Sequence, residues 1–328
     1  MGEFDIIAQH FAPLSTGETG AFNLKDDAAV LDVPAGQQIV ITSDCLIAGV
    51  HFFDDDQADL IAKKALAVNL SDLAAMGARP RAYTLACAWP KTIENAWLEA
   101  FSGGLSAAQN TWNVALIGGD TVATDGPLTL TITAFGMVGE GDVLRRSGAE
   151  IGDDIYVTGT IGDAALGLRL RQGNLDVSVP SPDQGHLVGR YLSPEPRLDI
   201  GESLVGIATS AMDISDGLIA DLSHICESSG VSADLFADTI PISSAAAHIL
   251  RSNPKLFEVL ITGGDDYELL FTAPQSRRQA INALSHAHST QITRIGAMGE
   301  TGTSATVRVL DGKSEELEMS AGSGYRHF

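Results

Sequence analysis

Residues 69–80 read "NLSDLAAMGARP", and they close a longer run, "ADLIAKKALAVNLSDLAAM" (58–76). Leu66, Leu70 and Leu73 recur at three- and four-residue spacing, so the run is a helix, with Gly77 and Pro80 as its stop signals. Asn69 and Asp72 sit within its apolar stretch. An unpartnered carboxylate is costly to bury, so Asp72 calls for a partner outside its own helix.

Working outward, strand and helix signals alternate. "QIVITSD" (38–44) is a β-branched run ending in polar residues, "NAWLEAFSGGLSAAQNT" (95–111) reads as helix, and "VALIGGD" (114–120) is a strand entering a turn. "LTLTITAFG" (128–136) has the two-residue period of a half-buried strand. Glycine and charge concentrate in 140–153, which marks a boundary. The pattern then restarts with a strand at 155–159, a helix over "GDAALGLRLRQG", a loop at 174–185, a helix opened by "AMDISDG", and a strand at 266–273. This predicts two domains that each mix strands and helices, α/β or α+β.

The chain has 42 acidic and 20 basic residues, a net charge of −22, which disfavours a nucleic-acid partner. No apolar run approaches the ~20 residues needed to span a bilayer, and the N-terminus lacks a signal-peptide pattern. Cys45, Cys87 and Cys226 are far apart with no C-x-x-C pair, consistent with a reducing, cytoplasmic setting.

Several aspartates share an unusual setting. Asp44 follows Thr42 and Ser43 at a strand end; Asp120 follows Gly118 and Gly119; Asp213 and Ser215 are two apart, with Asp216 opening a helix; Asp26 and Asp27 precede a strand-like run. Each alone could be a turn residue or a helix cap. Together, carboxylates and hydroxyls form an all-oxygen donor set suited to Mg²⁺. Mg²⁺ takes few carboxylates and prefers substrate phosphates, so a polyphosphate substrate follows. Walker A, protein-kinase and G-x-S-x-G patterns are all missing. The chemistry predicted is metal-dependent phosphoryl transfer, with Arg146 a candidate phosphate contact.

"DDAAVL", "TSDCLIAGVHF", "KALAVNLSDLAAMGARP", "LIGGDT", "RSGAEIGDDIYVTGTIGDAALGL", "MDISDGLIADLSHI", "GGDDYELLFT" and "GYRHF" occur in that order. In this the chain resembles the thiamine-monophosphate kinase family over essentially its whole length. The resemblance implies a two-domain aminoimidazole ribonucleotide synthetase-like fold: an N-terminal α/β domain (1–143) that binds ATP and Mg²⁺ and dimerises through its sheet, and a C-terminal α+β domain (144–328) that completes the active site. It implies transfer of the ATP γ-phosphoryl to thiamine monophosphate by a homodimer holding several Mg²⁺ ions.

Carried over by motif, the implied metal ligands are Asp27, Thr42, Ser43, Asp44, Asp72, Asp120, Asp213 and Asp216, of which Asp44, Asp72, Asp120 and Asp213 are catalytic. Gly119, Asp120, Arg146 and Ser215 match nucleotide positions, and His51, Asp265 and Tyr325 match substrate positions. The chain departs from the family at Asp265, usually Glu, and at Tyr325, often Trp. An amide-activating relative with another acceptor and a non-catalytic acidic metal-binding module are the alternative readings.

Overall fold

Alternating β-branched stretches in the first 140 residues pair into one sheet in the computed structural model, which describes residues 2–301, 305–318 and 324. After a short helix α1 (Glu3–Ile6) come β1 (Gln37–Ile47), α2 (Ala58–Ala75), β2 (Arg79–Pro90), α3 (Asn95–Trp112), β3 (Ala115–Thr124) and β4 (Thr129–Gly139). The strand order is β1-β4-β2-β3. β1–β4 and β4–β2 are antiparallel, and only β2–β3 is parallel, because α3 provides the crossover between them.

Helix α2 ends at Ala75 as its stop signals predict, but Pro80 does not end regular structure: it lies inside β2, at a register shift between Pro80 and Ala82. A bulge spares proline a ladder hydrogen bond that it cannot donate. A second shift, between Tyr83 and Thr84, pairs Tyr83 with Leu116 and Thr84 with Gly118, leaving Ile117 as the extra residue of β3.

One face of this sheet meets the helices. Leu66, Leu70 and Leu73 of α2 are fully buried, the Leu73 side chain reaches Gly136 of β4, and the Tyr83 hydroxyl donates to Gln109 of α3 at 2.7 Å. On the opposite face Ala21, Leu24, Ala29 and Leu31 cover Ala82, Ile117 and Phe135, while Ile41, Ser43 and Cys45 of β1 are exposed.

The chain divides into two compact units, residues 1–73 with 78–141, and residues 74–77 with 142–328. In the second, β5 (Asp154–Thr158), α4 (Asp163–Arg171), α5 (Ser181–Leu192), α6 (Leu198–Ser203), β6 (Ser210–Asp213), α7 (Leu218–Ser229) and β7 (Ser232–Phe236) lead to α8 (Ser244–Ser252), α9 (Leu256–Thr262), β8 (Leu269–Ala273), α10 (Arg278–Ala287), β9 (Ile292–Gly299) and β10 (Val307–Leu310). Its six strands are ordered β10-β7-β9-β5-β8-β6.

Both faces of this second sheet are covered. Leu270 joins Leu218, Leu222 and Ile225 of α7, while its neighbours Leu269 and Phe271 join Ile200 of α6 and Ile281 of α10. That explains why β8 is buried at every position. Two further expectations are corrected. The loop expected over 174–185 gives way to α5 at Ser181, which has Pro182 at its start. The strand expected from 266 begins at Leu269, because 263–268 is spent on a tight loop.

Candidate active site

In the first unit β1 and α2 meet through polar contacts. The Thr42 hydroxyl donates to Asp72 Oδ2 at 2.5 Å, and the Asp44 N–H donates to Asn69 Oδ1 at 3.0 Å. Asn69 is fully buried, and its Nδ2 donates to the Ala65 carbonyl one turn back. Residues two apart on a strand share a face, so Thr42 and Asp44 both turn to the helix. Burial, and after it the charge of Asp72, push the Asp44 carboxyl up to about 6. Two carboxylates thus approach each other at an energetic cost that a cation would remove.

Ser43 lies on the opposite face, where its hydroxyl stands 3.0 Å from Thr133 Oγ1 and donates to the Ile132 carbonyl. The expected ligand set therefore divides at this strand, with the Ser43 hydroxyl turned away from Asp44 and Asp72. Beyond β1 the His51 ring accepts the Ile47 N–H at Nδ1, 3.0 Å away, which leaves its proton on Nε2.

A cavity of about 1180 Å³ brings Asp27, Gly119 and Asp120 together. Its lining joins acidic and glycine-rich backbone to apolar side chains, among them Phe11 and Leu24. At Gly119, φ is +153°, and a β-carbon there would lie 1.9 Å from the Leu85 carbonyl oxygen, so no other residue fits. Asp120 Oδ1 accepts the Thr121 N–H at 2.8 Å. Asp44 and Asp120 occupy the two edge strands, three strand spacings apart, or roughly 14 Å. Within one chain they form two clusters.

In the second unit, strand β6 delivers Asp213, buried, to the loop 214–217 that opens α7. Asp221 Oδ2 accepts three successive backbone amides of this loop, from Ser215, Asp216 and Gly217, at 3.0, 3.1 and 3.1 Å. Burial, then the Asp216 charge, push the Asp221 carboxyl up to about 7 against the pull of those amides.

The loop 263–268 lies alongside. Asp265 N–H donates to the Ser215 carbonyl at 2.9 Å, and Tyr267 N–H to the Ile214 carbonyl at 2.8 Å. Asp265 and Tyr267 both adopt positive φ, +70° and +50°, and the Tyr267 hydroxyl donates to Asp265 Oδ1 at 3.3 Å. Such strain in non-glycine residues needs firm anchoring. Asp266 supplies it below by accepting the Gly162 N–H at 2.7 Å, and Glu268 by pairing with Arg190 and Arg197 and accepting the Thr158 hydroxyl. Burial raises the Asp266 carboxyl well above its ordinary range.

The structure thus gathers Asp213, Ser215, Asp216 and Asp265 around one loop pair. Arg146 is exposed; its carbonyl accepts the Ser229 hydroxyl of α7, and the adjacent Arg145 carbonyl accepts the Ala211 N–H of β6. Tyr325 lies outside the described residues. Among the described residues no three His, Cys, Asp or Glu side chains converge on one ion position. Asn69, Asp221 and Tyr267 escaped the motif reading. For Asp221 a signal existed, a carboxylate in the first turn of a helix whose preceding loop must have its amides satisfied.

Two sheets, one bearing Asp44, Gly119 and Asp120 on its edge strands and one with acidic, glycine-bearing loops at its strand ends, match a known class. Residues 25–138 match the family model described as AIR synthase related protein, N-terminal domain, and residues 150–308 match the corresponding C-terminal domain. The thiamine-monophosphate kinase of Salmonella typhimurium is 44% identical over 333 residues, covering 100% of this chain and 98% of that protein. The chain belongs to the thiamine-monophosphate kinase family.

Solved structures agree. That of thiamine-monophosphate kinase from Stenotrophomonas maltophilia K279a is 46% identical and superposes with a TM-score of 0.80, covering 87% of this chain and 89% of that one. AaThiL complexed with AMPPCP and TMP is 28% identical with a TM-score of 0.78, covering 100% of this chain and 97% of that one.

Proposed function

We infer that this chain transfers the γ-phosphoryl group of ATP to the phosphate of thiamine monophosphate, giving thiamine diphosphate and ADP. The observation that carries this reading is the full-length likeness, across both domains, to thiamine-monophosphate kinases. The complex of a relative with AMPPCP and TMP supports the same pair of substrates.

The residues fit the reaction. The acceptor is a phosphate monoester with a second pKa of ~6, already mostly dianionic at neutral pH, so no general base is required. The barrier is repulsion between polyanions and alignment of the attacking and leaving oxygens. Thr42, Asp44 and Asp72, together with Asp27, Asp120, Asp213 and Asp216, would hold Mg²⁺, an assignment supported by their all-oxygen chemistry and by the mutual strain of Asp44 and Asp72. When bound, Mg²⁺ neutralises phosphate charge and orients the transfer. Gly119 offers close backbone approach to the nucleotide, with Arg146 and Ser215 as further contacts. His51, Asp265 and Tyr325 are assigned to the acceptor substrate by motif, and the Asp265 charge would favour its cationic ring.

Residues 1–143 bind ATP and Mg²⁺, and residues 144–328 complete the site. The chain works in the cytoplasm; among the described residues no helix is long and apolar enough to cross a membrane. The exposed sheet face, with Ile41 58% and Val122 50% exposed, suits a second copy of the chain. Light scattering at micromolar concentration tests the dimer, and a monomer would remove it.

The activity is tested by incubating the purified protein with ATP, MgCl₂ and thiamine monophosphate and assaying for thiamine diphosphate. Folded protein that yields no more product than a heat-killed control would overturn the reading.

A further inference from the structure

Three consecutive N–H groups converging at the start of a helix make an anion-binding nest, the arrangement that commonly receives a phosphate. Here the nest over Ser215, Asp216 and Gly217 is already filled, by Asp221 of the same chain. Asp221 is 1% exposed and belongs to the first turn of α7, so its carboxylate stays where the helix places it. The Ser215 carbonyl is taken as well, by the Asp265 N–H. Both backbone polar atoms of Ser215 are therefore committed, which leaves its hydroxyl to meet a ligand.

The surroundings prevent the loop from giving way. Gly264 packs so closely that a β-carbon on it would stand 2.1 Å from the Ser215 carbonyl oxygen. A β-carbon on Gly217, at φ +122°, would stand 2.6 Å from the Thr262 carbonyl oxygen. The loop is pinned by hydrogen bonds and close packing on both sides.

We propose that Asp221 is a positioning residue: by occupying the 215–217 amide nest it makes the loop present the side-chain oxygens of Asp213, Ser215 and Asp216, rather than its N–H groups, to the metal-bound nucleotide. The proposal rests on the kinase reading above and sharpens it, because it assigns this loop to holding cations and not to cradling phosphate directly. A carboxylate in the nest repels phosphate and favours cations beside it. Groups that orient metal ligands commonly cost ~10–100-fold in metal affinity when removed.

The test compares wild type with Asp221→Asn and Asp221→Ala, each first shown to be folded by circular dichroism. Asp221→Asn keeps the size and one acceptor oxygen, so it carries the test if the alanine variant fails to fold. Three readouts are taken: Mn²⁺ binding by electron paramagnetic resonance, hydrogen exchange at amides 215–217, and steady-state kinetics against ATP, Mg²⁺ and thiamine monophosphate.

Expected are faster exchange at those amides and Mn²⁺ binding weakened ~10–100-fold. The Mg²⁺ requirement should rise in parallel, while KM for thiamine monophosphate stays within about twofold of wild type, since Asp221 acts on the metal side alone. Unchanged Mn²⁺ binding in both variants would overturn the proposal. So would tighter ATP binding at fixed Mg²⁺, which would show that the emptied nest is a phosphate site. If wild type makes no thiamine diphosphate yet Asp221→Asn still loses Mn²⁺, the kinase reading falls and the positioning role stands.

Discussion

Asn69 of α2 holds Asp44 of β1: its Oδ1 accepts the Asp44 N–H at 3.0 Å while its Nδ2 donates to the Ala65 carbonyl at 3.0 Å. A fully buried amide thus fixes the strand that carries a predicted metal ligand. Asn69→Ala leaves the half-buried Asp44 N–H without this acceptor and should destabilise the protein by ~1–3 kcal/mol. Urea denaturation of the variant measures the loss, and a midpoint equal to wild type would show that the bond contributes nothing.

Removing charge at the acidic clusters should separate activity from stability. Asp120→Asn and Asp72→Asn are expected to lower turnover by ~10²–10³-fold, in the range seen when a group that stabilises developing charge is lost. Their circular dichroism spectra should stay native. Near-wild-type turnover in either variant would remove that residue from the reaction.

The approach of β3 to β2 admits only glycine at one point. Gly119→Ala would set a β-carbon 1.9 Å from the Leu85 carbonyl oxygen, so the strands must separate locally. A loss of at least ~1–3 kcal/mol is expected from the strained backbone alone. A fall in melting temperature, and weaker ATP binding in calorimetry, would register it.

Asp266 gives a pH signature. Its folded-state carboxyl lies well above the ordinary 3.8 because it is buried, so the folded chain keeps a proton that the unfolded chain releases. The unfolded state then binds fewer protons, and this group makes stability fall as pH rises above ~4 toward the folded pKa. Asp266→Asn keeps an oxygen to accept the Gly162 N–H and removes the titration. Relative to wild type it should be more stable at pH 8 than at pH 5, as read from urea midpoints at the two values. An identical pH dependence would place the proton elsewhere.

Much of this was legible in the sequence. Helical spacing located α2 and its end, alternation located β4, and local strand signals located the starts of β1 and β3, which run on past Asp44 and Asp120 where strand ends were expected. The acidic motifs pointed to residues that the structure gathers in clusters: Thr42, Asp44 and Asp72; Asp27, Gly119 and Asp120; Asp213, Ser215, Asp216 and Asp265. What stayed hidden depends on pairing. Asn69 reads as a local hydrogen-bonder until β1 lies across it. The separation of Asp44 from Asp120 is a property of strand order, which no local window contains. The opposite orientation of Ser43 follows from strand alternation, but the motif groups it with its neighbours.

The extra residue Ile117 decides which way Asp120 points. Ahead of it Leu116 pairs with Tyr83, whose hydroxyl reaches α3; after it Asp120 pairs with Ala86, which is exposed. Were Ile117 instead paired in register with Thr84, the odd–even parity of the rest of β3 would invert, and Asp120 would fall opposite the buried Cys87, facing the helices. A one-residue bulge, with no chemistry of its own, thereby turns a carboxylate from the core to the cavity.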